Sequence, residues 1–266
     1  MIGVQLYGLS EEIAKDQRLV LQTLHDMGIG AIEPFISFRE LDFACLKPAY
    51  TAWKEFGFDI PSAHVDIALL KDEKSIGKTL RSLYQQTGIS TFIFSGMAET
   101  EREGQHCGEI LGAAAREAGK DGVSILYHNH TMEFAPVSGT QKNILDIILE
   151  GAKDLVGLQL DIGWAGIAQD EIAIAKKYAN RIVEIHCKDF YPGARQYTWN
   201  NMPRELFAPI GEGLIQTKAI LDMVPSFPQF NGAVLIDQDQ STGQLLDDIR
   251  VGYQNLASIV KGQSIL

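Results

Sequence analysis

Eight times along the chain, a short run of β-branched or aromatic apolar residues gives way to a longer segment with helical spacing. No other feature limits the fold as tightly. The runs cover residues 2–7, 30–35, 58–65, 90–95, 123–129, 156–162, 181–187 and 232–237. Between and after them, helices are expected at about 10–27, 41–56, 72–87, 99–118, 141–149, 170–178, 215–224 and 244–260. Ser10, Glu11 and Glu12 suit the first turn of the first helix and Gly28 its end. Pro48 marks a kink or a late start in the second. Strands alternating with helices require right-handed crossovers and a parallel sheet. Eight such units in 266 residues match the size of a (β/α)8 barrel. An open doubly wound sheet fits less well, because no GxGxxG follows the first strand. No linker or composition break divides the chain, so residues 1–266 are expected to form one α/β domain.

Composition excludes several classes. The chain is 45% hydrophobic and 21% charged, which is ordinary globular usage and not that of a disordered protein. Its net charge of -11 argues against nucleic acid as a partner. The start lacks a basic stretch followed by a long apolar run, and no segment approaches the roughly 18 continuous apolar residues of a membrane span. A soluble, cytoplasmic protein with no membrane partner is therefore expected. Cys45, Cys107 and Cys187 are odd in number and lack CxxC spacing, which excludes a disulfide scaffold or a structural zinc module.

In such a barrel, chemistry gathers where strands end and βα loops begin. Those ends carry Gln5 and Tyr7; Glu33; His64 and Asp66; His128, Asn129 and His130, with Glu133 shortly after; Asp161 and then Trp164; His186, Lys188 and Asp189; and Asp237, Gln238 and Asp239. Four of the six histidines fall there, while His25 and His106 fall in helices. Taken singly, each has a plain alternative: His64 as a structural histidine, Asp189 and Asp239 as turn or helix caps. Taken together, His128, Asp161, His186 and Asp237 end core strands that converge on one mouth. Two carboxylates brought there without a cation would face repulsion and desolvation. A divalent ion relieves both, and this ligand set suits Mn, Fe, Co or Zn, or Mg with water completing its shell.

At these residues the sequence resembles the xylose isomerase-like superfamily, the sugar phosphate isomerase/epimerase group of TIM barrels. The matching pieces are Gln5-Leu6-Tyr7, the stretch Tyr127-His128-Asn129-His130-Thr131-Met132-Glu133-Phe134, Leu160-Asp161-Ile162-Gly163-Trp164, His186-Cys187-Lys188-Asp189, Gly211-Glu212-Gly213 and Ile236-Asp237-Gln238-Asp239. They span essentially the whole chain. The resemblance implies a single divalent ion, most often Mn, held by residues at the ends of strands five to eight. Asp161 and His186 match that pattern. Asp237 stands where Glu is usual, and His128 stands where many relatives carry an acid. The ligand from strand five is thus either His128 itself or Glu133 folded back from the loop.

The activity implied is isomerisation or epimerisation of a keto-sugar or sugar phosphate. A proton is removed beside a carbonyl, and a metal-stabilised enediolate follows. Glu133 and His130 are the candidate bases, and Gln5, His64, Trp164 and Lys188 are candidates for substrate binding. The same constellation would serve a dehydratase or lyase acting on a keto-inositol or a 3-keto-glycoside. A barrel that binds sugar without turnover is a further reading. An abasic-site endonuclease, also within the superfamily, is disfavoured by the acidic charge and the single-metal ligand count. Gly211-Glu212-Gly213 reads as a turn entering a helix. Residues 190–207, rich in aromatic and basic side chains, are expected to form a substrate cover or a homo-oligomer contact.

Overall fold

Each apolar run becomes a strand because both of its faces are covered, one by the barrel interior and one by the surrounding helices. The computed structural model describes residues 1–66, 75–96 and 98–261. Its strands are β1 (Ile2–Gln5), β2 (Ala31–Glu33), β3 (Phe35–Ile36), β4 (Ala63–Val65), β5 (Thr91–Ser95), β6 (Ser124–His128), β7 (Val156–Asp161), β8 (Ile182–Cys187), β9 (Asp189–Phe190), β10 (Phe207–Ala208) and β11 (Val234–Ile236). Nine of these form one parallel sheet in the order β2-β1-β11-β8-β7-β6-β5-β4-β3. The two ends of that order, β2 and β3, are consecutive pieces of one run, so the sheet curls into a nearly closed TIM barrel. Pro34 separates them because it has no N–H to donate to a ladder, while its carbonyl still accepts from His64 N at 2.9 Å.

The helices are α1 (Ser10–Asp26), α2 (Phe43–Glu55), α3 (Ile76–Thr87), α4 (Glu101–Ala118), α5 (Ile144–Gly151), α6 (Ile162–Ala168), α7 (Glu171–Lys177), α8 (Thr217–Asp222) and α9 (Leu245–Val260). Most ends fall within three residues of the expected positions. Three expectations need correction. The third run is strand only over Ala63–Val65: Pro61 interrupts it, and Asp59 makes an isolated bridge to Ala31. The helix expected from residue 72 is seen from Ile76, and residues 72–74 lie outside the described residues. Helix α6 was not expected at all. It starts directly from the tip of β7, where the Asp161 carboxylate accepts from Trp164 N and acts as N-cap. Pro48 sits inside α2 without ending it. Among the described residues, no helix is long and apolar enough to cross a membrane.

Register puts the polar side chains on the inside. His128 lies opposite Gln159, Gln159 opposite Glu184, and Asp161 opposite His186. Strand side chains alternate faces, so Gln159 and Asp161 share one face of β7, as Glu184 and His186 share one face of β8. Two polar layers therefore stack inside the C-terminal half of the barrel. The interleaved Leu158, Leu160 and Ile185 belong to the apolar core.

Candidate active site and cation-binding cluster

The upper layer brings together the four residues expected to hold a cation. One ligand atom from each of His128, Asp161, His186 and Asp237 lies within 4.8 Å of the other three, and all four residues are buried. Ligands on opposite sides of one ion sit about 4 Å apart, so the group closes on a cation with small side-chain movement. The ring nitrogens of both histidines have defined partners. His186 directs Nε2 to Glu33 Oε2 at 2.7 Å and Nδ1 to Asp237 Oδ2 at 3.0 Å. A carboxylate behind the far nitrogen of a histidine is the usual support of a metal ligand. His128 directs Nδ1 to Gln159 Oε1 at 2.9 Å, leaving Nε2 facing Asp161 Oδ2 at 3.9 Å. That Asp161 oxygen is buried without a hydrogen-bond partner, a costly state that a cation would end. This buried group could therefore hold a divalent ion.

Sequence reasoning assigned the relief of carboxylate repulsion to a metal alone, but the fold supplies two cationic groups of its own. Lys188 is 2% exposed. Its Nζ lies 3.1 Å from Asp237 Oδ2 and 3.7 Å from Asp161 Oδ2, pairs closely with Asp239, and sits 4.9 Å over the Trp164 ring. Burial would lower the Lys188 pKa, yet Asp237, Asp239 and Asp161 raise it above its ordinary value. Burial likewise opposes the charged form of His186, but Glu33 and Asp237 lift it to about 10. Both groups are thus cationic at neutral pH. His128 is held well below its ordinary value by burial and by the neighbouring histidines, so it is neutral. Asp161 is pushed up to about 7 by burial despite Lys188, whereas Lys188 and His186 hold Asp237 well below the usual carboxylate range against its own desolvation. Glu33, Asp161, Asp237 and Asp239 present four carboxylates to these two cations. When all four are ionised, two negative charges are left over, the charge of one divalent ion.

The approach of Lys188 depends on Gly163. A Cβ there would lie 2.6 Å from Lys188 Cβ and 2.7 Å from its carbonyl oxygen, closer than real Cβ atoms come, so only glycine lets α6 pass the end of β8. Asn129 fixes the tip of β7 from the other side. Its amide donates to the Asp161 carbonyl and accepts from Asp161 N, each at 3.1 Å.

The remaining expected site residues divide. His64 joins the cluster itself: Nε2 contacts Gln159 Oε1 at 2.9 Å and Glu33 Oε2 at 3.2 Å, and its ring stands 5.1 Å from that of His128. Trp164 is a buried wall packed on Phe190. Gln5 is buried, and its carbonyl accepts from Tyr7 N. Glu133 is brought near but turned elsewhere. It is completely buried, Oε1 accepting from Tyr127 Oη at 2.7 Å and Oε2 from His130 N at 2.8 Å. His130 stands at the rim, its ring 4.9 Å from Trp199 and 6.3 Å from Trp164, with Nδ1 buried and unpartnered. Burial and Lys188 lower its pKa to about 3.

Four residues beneath the cluster were missed as site residues. Glu33 Oε1 accepts from Ser62 Oγ at 2.5 Å and from Gln159 Nε2 at 2.6 Å, while Glu184 Oε2 contacts the same two groups at 2.8 and 2.9 Å. A signal was present for two of them, since Gln159 and Glu184 sit two residues before Asp161 and His186 in otherwise apolar strands. Asp189 anchors the loop rather than the cluster. Its carboxylate accepts from Gly211 N, Gly213 N and Ile215 N at 2.9–3.0 Å, so Gly211-Glu212-Gly213 is a clamped turn. The excursion between the paired β9 and β10 covers the rim, where Trp199 N donates to Thr131 Oγ1 at 3.2 Å.

In (β/α)8 barrel enzymes the active site lies at this C-terminal mouth. Comparison with known proteins narrows this. Residues 21–254 match the model of the xylose isomerase-like TIM barrel family, and the chain belongs to that family. A solved sugar phosphate isomerase/epimerase from Parabacteroides distasonis superposes with a TM-score of 0.77 at 20% identity, covering 96% of this chain and 92% of its own. The 3-keto-D-glucoside 4-epimerase of E. coli superposes at 0.65 with 15% identity, over 97% and 98% of the two chains. Among curated sequences, the rhizopine catabolism protein MocC of Rhizobium meliloti is 26% identical over 160 residues, or 56% of this chain. That match spans about half the length of MocC (48%).

Proposed function

We propose that this protein is an isomerase or epimerase of a keto-sugar or sugar phosphate that works by proton transfer beside the carbonyl. The observation that carries the reading is the convergence of His128, Asp161, His186 and Asp237 within 4.8 Å at the barrel mouth. A divalent cation held by these four residues, Mn first among the candidates, would supply Lewis acidity toward the substrate carbonyl. Every other role falls to the chain's own groups. Lys188, fixed as a cation, favours negative charge developing on a substrate oxygen. Trp164 and Trp199 bound the space beside His130.

His130 is the proton acceptor in this reading. It is neutral at physiological pH, and its Nδ1 has no partner to give up. Its depressed pKa makes it a weak resting base, but negative charge growing on the substrate favours its protonation. Glu133 has the better-matched pKa, pushed up to about 7 by burial, but both of its oxygens are engaged. It accepts from the His130 backbone and in this reading is a positioning residue, which the free Nδ1 of His130 supports.

The test is proton exchange. Protein supplied with Mn2+ is incubated in deuterated water with a panel of ketohexoses, 3-keto-glucosides and keto-inositols, and the products are read by NMR and mass spectrometry. Deuterium is expected beside the carbonyl of at least one compound, and Asp161→Asn and His130→Gln should each lower exchange at least 100-fold. Retention of the carbon skeleton and all oxygens marks isomerisation, while loss of the mass of water marks a lyase. Folded protein that exchanges no panel member above the protein-free rate with Mn2+, Mg2+, Co2+ or Zn2+ would refute the proposal.

A further inference from the structure

We propose that Gln159 is the positioning residue that sets the histidine tautomers of the cluster, so that His128 presents a lone pair on Nε2, and not an N–H, toward Asp161, His186 and Asp237. The inference deepens the cation reading above and in part rests on it.

Gln159 is completely buried at the centre of the barrel and all of its hydrogen-bonding capacity is in use. Its amide nitrogen lies 2.6 Å from Glu33 Oε1 and 2.9 Å from Glu184 Oε2. Its carbonyl oxygen lies 2.9 Å from both His128 Nδ1 and His64 Nε2. The amide has one favourable orientation, because two carboxyl groups on one side call for a donor there. That leaves the oxygen facing both imidazoles, and a carbonyl oxygen can only accept. His128 must then carry its proton on Nδ1 and His64 on Nε2. With Nδ1 protonated, neutral His128 has a free lone pair on Nε2, the nitrogen 3.9 Å from Asp161 Oδ2. The opposite tautomer would aim an N–H into the cation position and leave the Gln159 carbonyl short of a donor.

Gln159 also governs which of two positions a cation can take. His64, His128 and His186 form a second group of close ligand atoms. The Gln159 carbonyl engages Nε2 of His64 and Nδ1 of His128, so one nitrogen of each is taken away from an ion in this group. An ion is thereby directed to the outer group, where Asp161 and Asp237 add charge.

The test uses protein labelled with 15N-histidine, whose long-range proton–nitrogen correlations report which ring nitrogen bears hydrogen. Wild-type His128 is expected in the Nδ1–H form and His64 in the Nε2–H form. Gln159→Met keeps the length but removes both functions; His128 should then populate both tautomers, and Co2+, titrated by its visible absorption, should bind 10–100-fold more weakly. Gln159→Glu retains the acceptor toward both histidines but loses the donor to Glu33 and Glu184; it should keep the Nδ1 proton of His128 at a cost in thermal stability. A purely structural role would lower thermal stability in Gln159→Met without moving either the tautomer or the Co2+ affinity, and that result would overturn the inference. So would a wild-type His128 carrying its proton on Nε2, a measurement that needs no variant to fold. If wild-type protein shows the expected tautomers but binds no divalent ion, the cation reading fails while the assignment to Gln159 stands on the spectra.

Discussion

The carboxyl of Glu133 gives the fold a pH dependence whose sign and size follow from its surroundings. Burial raises its pKa from 4.5 to about 7, and the hydrogen bonds from Tyr127 and His130 hold it down only in part. Between those two values the folded protein binds a proton that the unfolded chain has lost. Stability on this account is fully present below about pH 4.5 and falls as pH rises toward and through 7. At about 1.4 kcal/mol per pH unit, the loss amounts to roughly 3 kcal/mol by pH 8. Glu133→Gln removes the titration. The amide presents a donor to one of the two donors that Glu133 now satisfies, a mismatch of about 1–3 kcal/mol that is constant with pH. Urea denaturation of both proteins at half-unit steps from pH 5 to 8 isolates the carboxyl, since every other titrating group is common to the pair. The stability of Glu133→Gln relative to wild type should rise by about 2.5 kcal/mol across the series, because part of the loss already lies below pH 5. A flat difference, or one that falls with pH, would show that Glu133 is ionised throughout and that the reading of its burial is wrong.

Two other outcomes follow from the cluster. Lys188→Met leaves Asp161, Asp237 and Asp239 without their buried ammonium and should cost about 3–5 kcal/mol in thermal or urea unfolding; Mn2+ at about 100-fold its Kd should return roughly 2.7 kcal/mol of that. Because His186 holds its second proton until about pH 10 in the metal-free protein, cation binding between pH 7.5 and 9 should release one proton per site, and affinity should rise about tenfold per pH unit. Calorimetry in buffers of different ionisation enthalpy counts that proton, and a pH-independent affinity would contradict the assignment.

How much of this was legible beforehand depends on what a residue's neighbours in sequence reveal. The barrel was legible because strands buried on both faces stay apolar along their length, so each strand and helix announces its own period. His128, Asp161, His186 and Asp237 were legible because each stands at the C-terminal end of such a run, where the chemistry of a barrel gathers. Gln159 and Glu184 were harder, since one polar residue within an apolar run has meaning only once the interior of the barrel is known to be polar at that height. Glu33 was visible as a strand end, but nothing local says that it lies against His186, 153 residues away. Helix α6 was hidden because its start is the carboxylate of Asp161, a residue already accounted for as a ligand.

Lys188 ties these strands of the reading together. Two residues beyond His186, it looks in sequence like a loop lysine, and only the close passage allowed by Gly163 turns it inward. Its ammonium, together with protonated His186, lets three strand-end aspartates and Glu33 sit in one buried volume while the barrel folds. The charges of the cluster are thus balanced in part by its own side chains. A divalent ion held by His128, Asp161, His186 and Asp237 would compete with the proton on His186 for Asp237 and with Lys188 for Asp161 and Asp237. Asp239 and the Trp164 ring would still hold Lys188 in place, so a cationic side chain would stay beside the cluster in either case.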